Sequence, residues 1–156
     1  MKEKLINAYM KTAETFAELS HARRLHVGAI IVKDDRIISI GYNGMPAGWD
    51  NNCEDELVEH VSAGYGMPMR EEKYLKTKPE VLHAETNAIA KLAKSTESGL
   101  DATMFITHSP CLDCAKLIFQ SGIRSVFYRD SYRSEDGVQF LTNSGIEVVQ
   151  IKKEIL

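Results

Sequence analysis

The sequence predicts an α/β protein, a three-layer α/β/α sandwich on a mixed five-stranded sheet, and two patterns carry that expectation. Two β-branched runs near the N-terminus, separated by a short polar turn, read as an antiparallel hairpin. From residue 84 onward helical and strand patterns alternate, and a helical crossover between neighbouring strands makes them parallel and right-handed. A chain of 156 residues, 44% hydrophobic and 26% charged, is long enough to bury its own core, so one domain over 1–156 is expected.

Leu5, Ile6, Tyr9, Met10, Ala13, Phe16 and Ala17 recur at helical spacing with Lys and Glu between them, which predicts an amphipathic helix from Met1 to about Leu19. Val27 to Val32 and Ile37 to Ile40 are the paired strands, joined by Lys33-Asp34-Asp35-Arg36. Gly41 to Gly48 holds three glycines and a proline, a loop whose backbone can approach a ligand closely. Trp49 to Glu80 is polar and weakly periodic. Long loops without structure of their own are uncommon and usually functional, so a partly helical active-site or regulatory insertion is expected at about 49–80. Beyond it come a helix at about Ala84 to Lys94, a strand at Thr103 to Thr107 and a helix at Cys111 to Gln120. A strand at Arg124 to Tyr128, a helical piece at Glu135 to Thr142 and a last strand at Glu147 to Ile151 complete the pattern.

Totals exclude several function classes. A formal charge of -3 argues against affinity built on neutralising a phosphate backbone, so no nucleic-acid partner is expected. Met1-Lys2-Glu3-Lys4-Leu5 lacks the charged-then-apolar pattern of a signal peptide, and no apolar run approaches the ~20 residues of a membrane span. A soluble, cytoplasmic protein is the expectation. Three cysteines, two of them in a C-x-x-C, point to metal or redox chemistry in place of a disulfide framework.

The chemistry concentrates in His83-Ala84-Glu85 and Pro110-Cys111-Leu112-Asp113-Cys114. Cys111 and Cys114 lie three apart at a predicted helix start, so both sulfurs face one side of a first turn, where the helix dipole and a bound cation favour thiolate. Pro110 is a residue type favoured at such a start. His83 offers a third ligand, and Glu85 is offset so that its carboxylate can reach a water on the metal. H-x-E with P-C-x-x-C is the pattern of zinc deaminases, in which the Glu carries protons and does not ligate. Zinc lowers the pKa of a bound water to about 7, and a carboxyl is needed to move its proton to the ring nitrogen and the leaving amine. A C-x-x-C alone would serve equally as a structural half-site or a redox pair. A purely structural site would recruit a fourth ligand, for which Cys53 or His108 is available.

Val27 to Val32, Gly41-Tyr42-Asn43-Gly44-Met45-Pro46, the insertion, His83 to Ala88, Ser109 to Lys116 and Gln120 to Ile123 together resemble the deoxycytidylate (dCMP) deaminases of the cytidine deaminase-like superfamily, over nearly the whole chain. That resemblance implies hydrolysis of dCMP to dUMP and ammonia for thymidylate synthesis, one catalytic Zn2+, a homohexamer, and activation by dCTP and inhibition by dTTP with Mg2+. It implies that Asn43 hydrogen-bonds the sugar and that the peptide groups of Ala84 and Ser109 hold the base edge. The alternative for Asn43 is a turn residue in left-handed geometry. Ser20, Arg23 and Arg24 sit where the first helix meets the first strand and are the candidates for phosphate, with Tyr132 a weaker one; either Arg alone could equally be a solvated surface charge. Gly41, Tyr42 and Gly44 are assigned by resemblance to an effector site. Some phage-type relatives hold a second zinc through cysteines where this chain has Ala22 and Asn52, which argues against that second ion and leaves Cys53 a free buried thiol. Two other functions stay open on the residues: deamination of a different base or nucleoside, transfer RNA adenosine included, and a non-catalytic zinc-stabilised module that senses nucleotides. Glu85 discriminates against the sensor, which needs no proton carrier.

Overall fold

The computed structural model describes residues 1–153. Its elements in chain order are α1 (Glu3–Ala17), β1 (Gly28–Lys33), β2 (Arg36–Tyr42), β3 (Glu54–Ser62), β4 (Met69–Thr77), α2 (Ala84–Ala93), β5 (Thr103–His108), α3 (Leu112–Gln120), β6 (Ser125–Asp130), α4 (Asp136–Asn143) and β7 (Glu147–Gln150). Five strands form one sheet in the order β2-β1-β5-β6-β7. β1 is antiparallel to both β2 and β5, while β5, β6 and β7 run parallel through the crossovers α3 and α4. The mixed five-stranded sheet of the sequence reading is the sheet observed. Asp34 and Asp35 make the β1–β2 turn with φ of +49° and +56°, the paired left-handed geometry that lets a two-residue hairpin follow the twist of its strands.

Each face of the sheet buries one apolar layer. α1 covers one side, where Met10 and Ala13 meet Ile30, Val32, Phe105 and Phe127, and the last two rings stack at 5.1 Å. α2, α3 and α4 cover the other, where Ala84, Ala88, Ala115, Ile118 and Leu141 close over Ile31, Met104, Ile106 and Val126. Two glycines set how tightly helix and strand approach. A Cβ on Gly28 would stand 2.1 Å from the Ala13 carbonyl oxygen, and one on Gly41 would stand 2.1 Å from that of Ala84. Backbone therefore lies directly on backbone at both contacts.

The insertion corrects one expectation. It is not partly helical: β3 and β4 pair antiparallel over nine residues each as a separate two-stranded sheet. Both faces of most of this hairpin are solvated, so its strands carry charges where a half-buried strand would alternate with apolar residues. Cross-strand pairs such as Asp55 with Lys76 and Leu57 with Tyr74 accompany the ladder. Only its base is buried, at Cys53 and Glu54. Elsewhere the observed elements differ from the expected ones by a few residues at their ends.

Candidate active site

Two helix N-termini converge to make the site. His83 is the N-cap of α2 and Cys111 the N-cap of α3, both in extended conformation just before the first turn. Pro110 thus precedes the N-cap, one position earlier than the first helical residue where proline is most favoured. Cys114 sits in the first turn of α3 and is buried, so its sulfur faces the same point as that of Cys111. α2 is held from β2 along its length. Ser39 Oγ donates to the Ala88 carbonyl at 2.6 Å, Asn87 Nδ2 to that of Tyr42 at 2.8 Å, and Lys91 Nζ to that of Ile40 at 2.8 Å. Gly44 and Leu82 exchange backbone hydrogen bonds of 3.1 and 2.8 Å, which positions the residue before His83.

His83 Nδ1 lies 3.7 Å from Cys111 Sγ and 3.3 Å from Cys114 Sγ, and all three ligand atoms fall within 4.8 Å of one another. Tetrahedral zinc with its usual Zn–S and Zn–N bond lengths would separate such a nitrogen and sulfur by about 3.6 Å. Geometry and donor set both fit that ion. Among the described residues neither Cys53 nor His108 joins the cluster, so three protein ligands leave the fourth position to water or substrate, as in catalytic and not structural zinc sites.

The titrating groups are strongly perturbed. Cys111 is held down at about 4, first by its hydrogen bond with Cys114 and then by the one with His83. Cys114 is pushed up in turn by the same contact and by burial. The hydrogen bond to Cys111 raises His83. A metal displaces the protons such a set holds, since its ligands bind as thiolates and neutral imidazole. Glu85, in the first turn of α2, is 4% exposed, and burial pushes its carboxyl up to about 7. A carboxyl near that value both accepts and returns a proton at neutral pH.

A cavity of about 430 Å³ brings His83, Glu85 and Cys111 together with the expected Asn43, Ala84, Ser109, Arg24 and Tyr132. Ser20 and Arg23 do not line it. Ser20 is buried and its hydroxyl accepts the Ala22 N–H at 3.2 Å, while the Arg23 guanidinium donates to Glu56 at 3.0 Å and to Asn52 at 3.3 Å on the hairpin side. Gly41, Tyr42 and Gly44 also lie off the cavity and serve the α2 contacts described above. Asn43 is not in left-handed geometry; its Oδ1 accepts the Val27 N–H at 2.8 Å and its Nδ2 donates to the Leu25 carbonyl at 2.8 Å. The Ser109 hydroxyl accepts the Tyr132 N–H at 2.7 Å and its own N–H donates to the Asp130 carbonyl at 2.8 Å, which ties the loop after β6 to the cavity wall.

Among the ionisable lining residues, Glu54, Asp130 and Arg133 escaped the sequence reading, and His108 was named there only as a possible fourth ligand of a structural site. His108 stands directly before Ser109-Pro110 and Arg133 directly after Tyr132, so proximity to the motifs could have flagged both. Glu54 had no such signal inside a charged insertion.

Comparison with known proteins converges on one family. Residues 3–130 match the family model of the cytidine and deoxycytidylate deaminase zinc-binding region. Deoxycytidylate deaminase of Enterobacteria phage T4 is 36% identical over 156 residues, covering 83% of this chain and 81% of that protein. The human deoxycytidylate deaminase is 38% identical over 133 residues, 82% of this chain and 66% of that protein. Among solved structures, the dCMP deaminase of cyanophage S-TIM5 in complex with dCMP and dUMP superposes with a TM-score of 0.82 at 43% identity, covering 97% of this chain and 99% of that one.

Proposed function

This chain belongs to the cytidine and deoxycytidylate deaminases, a zinc-binding deaminase with a His/Cys/Cys site, and on that premise we propose that it hydrolyses dCMP to dUMP and ammonia. One observation carries the reading: the buried Glu85 carboxyl shares a cavity with His83 and Cys111 of the three-ligand cluster and with the cationic side chains of Arg24 and Arg133. A nucleotide needs all three.

Zinc held by His83, Cys111 and Cys114 would supply Lewis-acid activation of water at neutral pH. Glu85 is placed to take a proton from the water that adds to C4 of the cytosine and to deliver it to ring N3. A second proton passes through the same carboxyl to the exocyclic amine, which then departs as ammonia and leaves the uracil carbonyl. The base edge is held by peptide groups: Ala84, at the start of α2, presents an N–H with no acceptor earlier in the helix. Ser109 spends its own N–H on Asp130, so its carbonyl is the group left for an amine donor. Arg24, whose guanidinium also donates to Thr77 at 3.0 Å, and Arg133 suit the 5′-phosphate, because a guanidinium fork matches phosphate oxygens.

The family resemblance extends the same proposal to a cytoplasmic homohexamer that is activated by dCTP and inhibited by dTTP with Mg2+. Ammonia release from dCMP, cytidine, cytosine and a transfer RNA stem-loop, with and without dCTP, tests it. dCMP turned over at least tenfold faster than cytidine is the expected result, and equal rates on the two would remove the phosphate from the reading.

A further inference from the structure

We propose that Glu54 accepts the hydroxyl of the substrate's sugar and so makes the enzyme selective for a nucleotide that carries a 3′-hydroxyl. This assignment rests on the nucleotide reading above and names a residue of the insertion as part of the binding site. Glu54 opens β3, is 1% exposed and lines the cavity that holds Glu85. Its Oε1 accepts the backbone N–H groups of Arg23 at 2.9 Å and Arg24 at 3.1 Å. Its Oε2 has no hydrogen-bond partner, and among the described residues it is the one buried side-chain oxygen or nitrogen in that condition. The nearby cation makes only a loose ion pair with it: Arg23 Nε is 3.6 Å away, beyond hydrogen-bond reach, and the rest of that guanidinium is turned to Glu56, Asn52 and the Glu54 backbone carbonyl.

Buried polar atoms in native proteins are almost always paired, so an orphaned carboxylate oxygen in a cavity wall calls for a donor from the occupant. The phosphate of a nucleotide is an acceptor and a like charge. The reacting edge of the base is taken by Glu85 and the metal ligands. The sugar hydroxyl is the donor that remains, and a 2′-deoxynucleoside 5′-monophosphate has one, at C3′. Asn43, the other side chain expected at the sugar, already bridges Val27 and Leu25 with its two polar atoms.

The test compares kcat/KM for dCMP and 2′,3′-dideoxycytidine monophosphate in wild type and in Glu54→Gln, with zinc content measured in both. A hydrogen bond to a charged group predicts that the wild-type enzyme loses about ten- to a hundredfold on the dideoxy compound. In Glu54→Gln, which keeps an oxygen for the Arg23 and Arg24 N–H groups, that penalty should narrow to about threefold or less. Equal wild-type rates on both nucleotides would overturn the assignment without any variant. So would a Glu54→Gln enzyme with full zinc that loses equally on both, because Glu54 would then act only as the clamp on Arg23 and Arg24. Turnover of neither nucleotide by the zinc-loaded wild type would instead defeat the dCMP reading, and this one with it.

Discussion

Glu85 and His83 stand two residues apart at one helix opening, yet burial and direction give them different work. The His83 ring reaches the two sulfurs, whereas the Glu85 carboxyl lies sealed in the cavity wall with its proton affinity raised by loss of water. Glu85→Gln is therefore expected to keep a full complement of zinc while kcat falls by about a hundred- to ten-thousandfold, the usual range for a lost proton carrier. His83→Ala and Cys114→Ala should behave oppositely and lose the metal itself, read by metal analysis of the purified variants. Zinc loss from Glu85→Gln would remove the distinction between ligand and proton carrier. At this scale the motif was legible because its residues are neighbours in the chain. Glu54 was not, since an orphaned oxygen exists only once the surrounding backbone has closed over it.

At the scale of elements, α2 is the part on which the site turns. It rests on β2 with no side chain between them at Gly41; its Asn87 and Lys91 side chains donate to the Tyr42 and Ile40 carbonyls of that strand, and Ser39 of the strand donates back to the Ala88 carbonyl. Gly41→Ala would drive a methyl group to 2.1 Å from the Ala84 carbonyl oxygen and 2.6 Å from the Ala88 nitrogen, both rigid helix backbone. Overpacking of this kind costs about 1–3 kcal/mol, which for a chain of this size lowers Tm by about 3–10 °C. The helix must shift to relieve it, so kcat should fall as well, although residue 41 touches no substrate. Differential scanning calorimetry and steady-state rates on one preparation check both halves; an unchanged Tm would show the contact to be looser than described. The helices and strands of the sandwich could be read from periodicity because each buries one stripe or face. The β3–β4 hairpin could not, because a strand wet on both faces has no apolar alternation to read.

Over the whole molecule, the cluster links regions far apart in sequence. One ion would join the start of α2, after the hairpin, to the start of α3, across β5. Metal that binds only the folded chain adds its binding free energy to stability, about 2.7 kcal/mol at a hundred times Kd. Stripping zinc with a chelator should therefore lower Tm by about 5–10 °C, and added Zn2+ but not Mg2+ should restore it, because thiolate and imidazole are poor ligands for magnesium. Recovery with Mg2+ would contradict the ligand set.

The amino-acid sequence by itself determined the His/Cys/Cys cluster, the place of Glu85 beside it and the layered sheet, because each is written in spacings of a few residues that one helical turn or one strand converts directly into geometry. Folding in three dimensions decided the rest: that Arg24 and Arg133 share the cavity while Arg23 is drawn off to the hairpin, and that Asn43 braces the lead into β1. It also decided that the insertion supplies a buried carboxylate. Those outcomes depend on which distant backbone groups and charges end up adjacent, and side-chain hydrogen bonds are claimed by whichever partner the packed chain brings within about 3 Å.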